Sequence, residues 1–352
     1  MQNDTFFDSL IPPSKGDIFR QSLREVVMRS EIEKHFSFFE TLSRIQRYYW
    51  CKSHCEARKE DAMMKTEKKQ ILPNEGSLGR WFGVLVVGLL LGGLLSVPLY
   101  PLIDSEGKQF MGMPLQTLVD ILYFIPFFFG MVMAIRWIGK TSLRAFILGV
   151  GGKVSKKVCL TVFVLFAGGF FIPYLITANN LSLRGVDGGE YACLLLTVLL
   201  TVWAQTTFEE LLFRGLFLRW ACKNKVGYSK KALLVGVVTS IAFALAHATN
   251  PEVTTQSGLR VAMAIATYAI PGLVYFLADL HFGSLLPGII MHWVNNFVLI
   301  TVVSSEVTVL PMPTLLVDHT ANTAEWGMLS TLLLHLPMLV YLLLNARKKK
   351  NL

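Results

Sequence analysis

The chain has 352 residues, enough for two or three soluble domains, yet 53% are hydrophobic and only 16% charged, where soluble domains run near a quarter charged. With a mean hydropathy of +0.50, a soluble fold is excluded and an all-α integral membrane protein is expected. The formal charge of +9 does not point to nucleic acid: residues 1–79 hold 13 Lys and Arg against 12 Asp and Glu. The excess sits between apolar blocks, where basic residues set membrane orientation.

Residues 1–79 form a polar extension, expected in the cytoplasm and partly helical. From Ser22 to Trp50, Val26, Val27, Ile32, Phe36, Phe39, Leu42, Ile45 and Tyr49 recur at roughly helical spacing. Ser22 and Ser30, each with a glutamate three residues on, read as capping boxes. One or two amphipathic helices on the membrane surface or against a protein partner are expected. Cys51, His54 and Cys55 resemble half of a metal site, but no second pair of ligands follows nearby, and structural zinc takes four. The five cysteines are scattered and show no disulfide framework. The N-terminus lacks the basic and apolar runs of a cleavable signal, so the first membrane helix, near residue 80, is expected to direct insertion.

Residues 80–350 read as a polytopic membrane domain. Apolar blocks run over 81–103, 115–138, 158–178, 191–219, 231–248, 259–279, 283–303 and 326–346, each near the roughly 20 residues that cross a hydrocarbon core of about 30 Å. A bundle of about eight transmembrane helices is therefore expected, with 141–150 too short to span. The loops after the second and fourth blocks and the tail Arg347 to Lys350 carry about fifteen Lys and Arg; the alternate loops carry three, Lys108, Arg184 and Arg260. Both termini are expected in the cytoplasm, and the loop 304–325, without Lys or Arg, outside.

Charged side chains within a bilayer are costly and mark function by default. The fourth block holds Glu209, Glu210 and Arg214, the fifth His247, the seventh His292 and Asn296, and the second a lone Asp120. Glu210 and Arg214 are four apart, acid before base, and form a self-neutralising structural pair. Glu209, rotated about 100° away, has no partner predicted on its own helix. His292 and Asn296 again share a face. At 1.5 Å per residue, Glu209 lies about 16 Å and His292 about 13 Å inside the cytoplasmic surface, while His247 comes out about 25 Å deep. The first two depths match and the third does not.

A carboxylate with two imidazoles and an amide suffices for hydrolysis. Glu209 can act as general base on water, with His247 orienting that water or protonating the leaving amine. His292 and Asn296 can hold the oxyanion. Glu209, His247 and His292 can instead ligate Zn²⁺, although no His-Glu-x-x-His segment is present. An ion-coupled transporter is the main competing reading, because carboxylates and histidines also build proton relays. A non-catalytic regulatory or immunity membrane protein is another. Asp120 reads as a solvated helix end and His281 as solvated in a tight turn with Asp279 and Gly283. His319 and His335 take no role. Pro271 and Gly272 predict a kink in the sixth helix, which shapes a lateral opening for substrate.

Glu209-Glu210-x-x-x-Arg214, then Phe243-x-x-x-His247, then His292-x-x-x-Asn296, with Leu211 to Gly215 and Leu286-Pro287 flanking, resemble the CPBP family, the CAAX-prenyl-protease-like and Abi intramembrane proteases. The resemblance covers roughly 190–300, taken as the protease-like core. It implies an eight-helix core, a catalytic chamber open to the cytoplasm, and endopeptidase activity on a membrane-associated protein or peptide, in a bacterial cell membrane. It also implies Glu209 as base, His247 as its partner, and His292 with Asn296 holding the oxyanion. Family members are described both as metalloproteases and as metal-independent glutamate proteases. Three strong ligands and a weak amide favour the metal-free form, with one zinc ion as the alternative.

Overall fold

A computed structural model describes residues 78–102, 107–149, 154–222, 229–320 and 323–350. The segment Ser22 to Trp50 and the group Cys51, His54 and Cys55 lie outside them. Each of the eight apolar blocks is a helix. In chain order these are α1 (Leu78–Ser96), α2 (Leu115–Trp137), α4 (Lys156–Ile176), α5 (Gly188–Glu210), α7 (Lys230–Ala246), α9 (Leu259–Phe282), α10 (Leu286–Thr301) and α11 (Ala324–Lys350). Short helices α3 (Leu143–Leu148) and α8 (Pro251–Thr254) sit in connections, and α5 continues through a π-helical turn, Leu211–Gly215, into α6 (Leu216–Cys222). Side-chain caps set several starts: Ser142, Ser155, Asp187 and Ser229 each accept a backbone N–H from the first turn they precede.

Among the described residues, six helical segments are long and apolar enough to cross a membrane: Leu78–Leu102, Leu115–Trp137, Lys156–Ile176, Gly188–Ala221, Leu259–Phe282 and Ala324–Asn345. The expected eight are therefore six full-length helices and two short ones. α7 has 17 residues and α10 has 16, about 25 and 24 Å of helix against a core of about 30 Å. Exposed apolar side chains such as Leu90, Phe171, Leu175 and Leu234 give the bundle the outer surface of an integral membrane protein.

α9 packs on α7, α10 and α11, while α10 packs on α4 and α5; α1 and α2 form a hairpin against α5. In that hairpin Gly88, Gly92 and Gly130 bring two backbones together, and a Cβ on Gly130 would stand 2.4 Å from Gly92 N. Small residues permit this approach where lipid supplies no hydrophobic drive.

Connections gather on two faces. On one, Leu285 N and Ser284 Oγ bond the Ile147 carbonyl at 2.9 and 3.0 Å, and Arg219 Nη2 donates to the carbonyls of Ala145 and Phe146. The other carries strands absent from the sequence reading. β1 (Gln109–Phe110) and β2 (Met113–Pro114) form a tiny hairpin. β3 (Leu181–Leu183) pairs antiparallel with β5 (Leu316–Asp318), which pairs parallel with β4 (Val303–Ser305). The short loops on this face thus find backbone partners in one another.

Candidate functional site

Glu209 and Glu210 end α5, and the π turn begins at the next residue; single π turns inside α-helices often mark functional positions. Glu210 and Arg214 are both fully buried and 2.8 Å apart, the pair expected from their spacing. The guanidinium lies 4.3 Å from the Phe243 ring centroid, a cation–π contact that compensates part of its desolvation.

The pair does more than neutralise itself. Glu210 Oε1 also accepts from His292 Nδ1 at 2.7 Å, so one oxygen ties α10 to the end of α5. His292 Nε2 then points at Glu209, 3.5 Å from Oε2. The imidazole stands between the two glutamates, with the Phe243 ring edge-on at 5.7 Å and Tyr275 at 5.6 Å. Glu209 does find a partner on its own helix, contrary to expectation: Gln205 Nε2, one turn earlier, donates to Oε1 at 3.3 Å.

His247 caps the C-terminal end of α7, and its Nδ1 lies 2.8 Å from the Phe243 carbonyl. A carbonyl only accepts, so Nδ1 carries a proton and Nε2 is left for other partners. The ring stacks on Tyr268, centroids 4.5 Å apart at 21°. Tyr268 OH in turn donates to Glu252 Oε1 and accepts from Asn250 Nδ2 at 2.9 Å. The sequence reading missed this second group, because Asn250, Glu252 and Tyr268 share no motif and meet only through the fold. Among the described residues no hydrogen bond joins His247 to Glu209 or His292; Phe243 lies between them, 4.5 Å from the His247 ring.

Glu209, His247, His292 and Asn296 all line one cavity of about 310 Å³, within the range of small ligand sites. Asn296 Oδ1 accepts from Asn295 Nδ2 at 3.2 Å. The wall continues through Thr267, Ser305, Thr308 and Asp318, residues that lead to the face bearing β3, β4 and β5, and it contains no Lys or Arg. His335, given no role from sequence, is also buried in this wall, with Nδ1 donating to the Thr331 carbonyl at 2.7 Å and its ring beside Tyr275.

Among the described residues no group of three or more His, Cys, Asp or Glu stands at metal-holding spacing. The candidate set Glu209, His247 and His292 is not such a group, although His292, with Nδ1 held by Glu210, leaves its Nε2 towards Glu209. Asp120 is exposed and accepts from Gln116 Nε2 at 3.0 Å, as expected of a helix end. His281 is not solvated: it is 6% exposed. Asp279, expected in the same solvated turn, is fully buried and accepts from Gly288 N at 2.7 Å, because α10 folds back on the end of α9. Gly283, at φ 67°, makes that reversal in the left-handed region.

The bundle, with six helices of membrane-crossing length, gathers a carboxylate, two imidazoles and an amide around one cavity. Residues 191–298 match the family model for Rce1-like type II CAAX prenyl endopeptidases. That match supports the resemblance to CAAX-protease-like intramembrane proteases over residues 191–298. Neither the curated proteins nor the solved structures yield a match.

Proposed function

We propose that the chain is an intramembrane endopeptidase in which Glu209 activates the attacking water. The observation that carries this is the clamp on His292, held at Nδ1 by Glu210 and presenting Nε2 to Glu209 at 3.5 Å, at a cavity wall within a membrane bundle. Glu209 removes a proton from water as the oxygen attacks the peptide carbonyl. Asn296 and His292 stabilise the tetrahedral oxyanion. As the C–N bond breaks, the proton held on Glu209 passes to the leaving amine, with His247 as the neighbouring acid–base group. The products are a carboxylate and an ammonium group, the amine taking both protons of the water, and the enzyme ends in its starting protonation state. A bound zinc ion would supply Lewis-acid activation of the same water, but among the described residues the side chains do not gather into a ligand set.

The substrate in this reading is a membrane-associated protein or peptide. In this reading the loops after the second and fourth apolar blocks face the cytoplasm of a bacterial cell membrane, since with the tail they hold about fifteen Lys and Arg in sequence against three in the alternate loops. All eight helices contribute to the bundle that crosses the membrane. The extension 1–79 offers a surface to a protein partner.

The test compares membrane-protein termini in cells making wild type or Glu209→Gln. New termini are expected only with wild type, with their precursors accumulating in the variant and cleavage reduced about 10²–10⁴-fold. Coincident profiles from two equally folded proteins would overturn the reading.

A further inference from the structure

Ser182, Glu306 and His319, none of which lines the cavity, meet on the three-stranded sheet. The register brings them to one face. Ser182 and Ser304 both stand beside Val317, the first across the antiparallel pair and the second across the parallel one. His319 and Glu306 follow two residues after Val317 and Ser304, so alternation returns their side chains to that face. The contacts are direct. Ser182 Oγ lies 2.8 Å from His319 Nε2, and His319 Nδ1 lies 2.6 Å from Glu306 Oε1.

A carboxylate only accepts, so Nδ1 carries a proton, and in the neutral ring Nε2 is left to accept from the Ser182 hydroxyl. Carboxylate to Nδ1 and Nε2 to hydroxyl is the order in which an acid and an imidazole activate a serine nucleophile. β3 is also an edge strand of its sheet. Arg184 N bonds the Leu315 carbonyl and His319 N bonds that of Asn180, so antiparallel alternation turns Leu183 N–H away from β5, to the open edge. The N–H of the residue after the nucleophile is a donor that serine hydrolases use for the oxyanion. Ser182 is exposed, and the side chains of His319 and Glu306 are 46% and 50% exposed. Water therefore reaches the site and screens its ion pair.

We propose that Ser182, His319 and Glu306 form a second nucleophilic site, separate from the Glu209 cavity, that hydrolyses carboxylic esters. An open, solvated site suits an ester better than an amide, because an alkoxide leaves more readily than an amine. Ser182 Oγ adds to the ester carbonyl as its proton passes to His319 Nε2. That proton goes to the leaving oxygen as the C–O bond breaks, giving an alcohol and an acyl ester on Ser182. Water then adds to the acyl carbon, losing a proton to Nε2, and the proton returns to Oγ as the carboxylic acid departs. Glu306 holds the ring with Nε2 towards the hydroxyl. The site stands on the sheet alone and takes nothing from the protease reading.

The test treats the whole chain in detergent with a fluorophosphonate, which an activated serine attacks at phosphorus with loss of fluoride, and locates the adduct by mass spectrometry. Wild type and Glu209→Gln are expected to be labelled alike, at Ser182. Labelling should vanish in Ser182→Ala and slow about 10²–10⁴-fold in His319→Ala, the worth of a positioned general base. Hydrolysis of p-nitrophenyl acetate is expected to fall in the same two variants and, by less, in Glu306→Gln. The three side chains are exposed, so the thermal midpoints should stay at the wild-type value. Wild type with no adduct at Ser182, or labelling as fast in His319→Ala as in wild type, would overturn the proposal. The first of these outcomes requires no variant to fold. Loss of Glu209-dependent cleavage defeats the protease reading alone, whereas an unlabelled Ser182 defeats this inference alone.

Discussion

At Glu209 the carboxyl group meets one donor from its own helix, Gln205 Nε2 at 3.3 Å, and otherwise faces the cavity and His292. One residue on, Glu210 is fully enclosed and accepts from both Arg214 and His292. Removing one member of a buried ion pair strands the other charge, at about 3–5 kcal/mol. Arg214→Met and Glu210→Ala are therefore expected to lower the thermal midpoint and the folded yield in detergent. Glu209→Gln is expected to leave the midpoint nearly unchanged, since the amide keeps the shape and can still accept from Gln205. Equal losses in the three variants would remove the division of labour between the adjacent glutamates. The spacing Glu210-x-x-x-Arg214 made the pair legible in the sequence, because four residues make one helical turn. The bond from Glu210 to His292 crosses 82 positions, and no helical period reports a contact of that kind. His281 and Asp279 misled for the same reason: beside a turn glycine they read as solvent-facing, and only the packing of α10 encloses them.

Among the elements, the join of α5 to α6 is the most sensitive to length. The π turn Leu211–Gly215 lets the chain carry one more residue than an α-helix over that stretch. Inserting an alanine after Leu216, in regular α-helix, would turn everything after it by about 100°. It should pull Arg219 from the carbonyls of Ala145 and Phe146 and abolish activity, read as cleavage of a wild-type substrate. The α1–α2 hairpin is a second pressure point. Gly130→Val places a branched side chain against the Gly92 backbone, where even a Cβ has no room. A loss of about 1–3 kcal/mol is expected, measured as a lower midpoint, with Gly93→Val, whose Cβ meets nothing within 4 Å, as control. All eight helices could be located by hydropathy. The π turn and the strands could not, since a π turn has no hydropathy period and strands of two or three residues show no alternation.

For the molecule as a whole, the depth mismatch at His247 is resolved by its position at the end of α7. It is the C-cap residue at which a 17-residue helix stops, so it lies as far along α7 as its count from Lys230 says. Glu209 reaches the same cavity from the other direction, about two thirds of the way along a 34-residue helical segment. A C-terminal epitope after Leu352 is expected to be reached by antibody only after permeabilisation; detection on intact cells would reverse both faces. Which helices end short follows from sequence only through their lengths, and the eight apolar blocks were too similar in length to separate them.

The three-stranded sheet has a consequence for how the molecule is made. β3 emerges from the ribosome early and waits for β5, which follows the last loop before α11; chains are built and folded from the N-terminus. Glu209, His247 and His292 are all synthesised before the roof over them exists. A nascent chain therefore holds its reactive groups in an unfinished vessel, and the stretch that seals it, Val303 to Asp318, is among the last to arrive. In the protease proposed above, hydrolysis is therefore expected only once the chain is nearly complete.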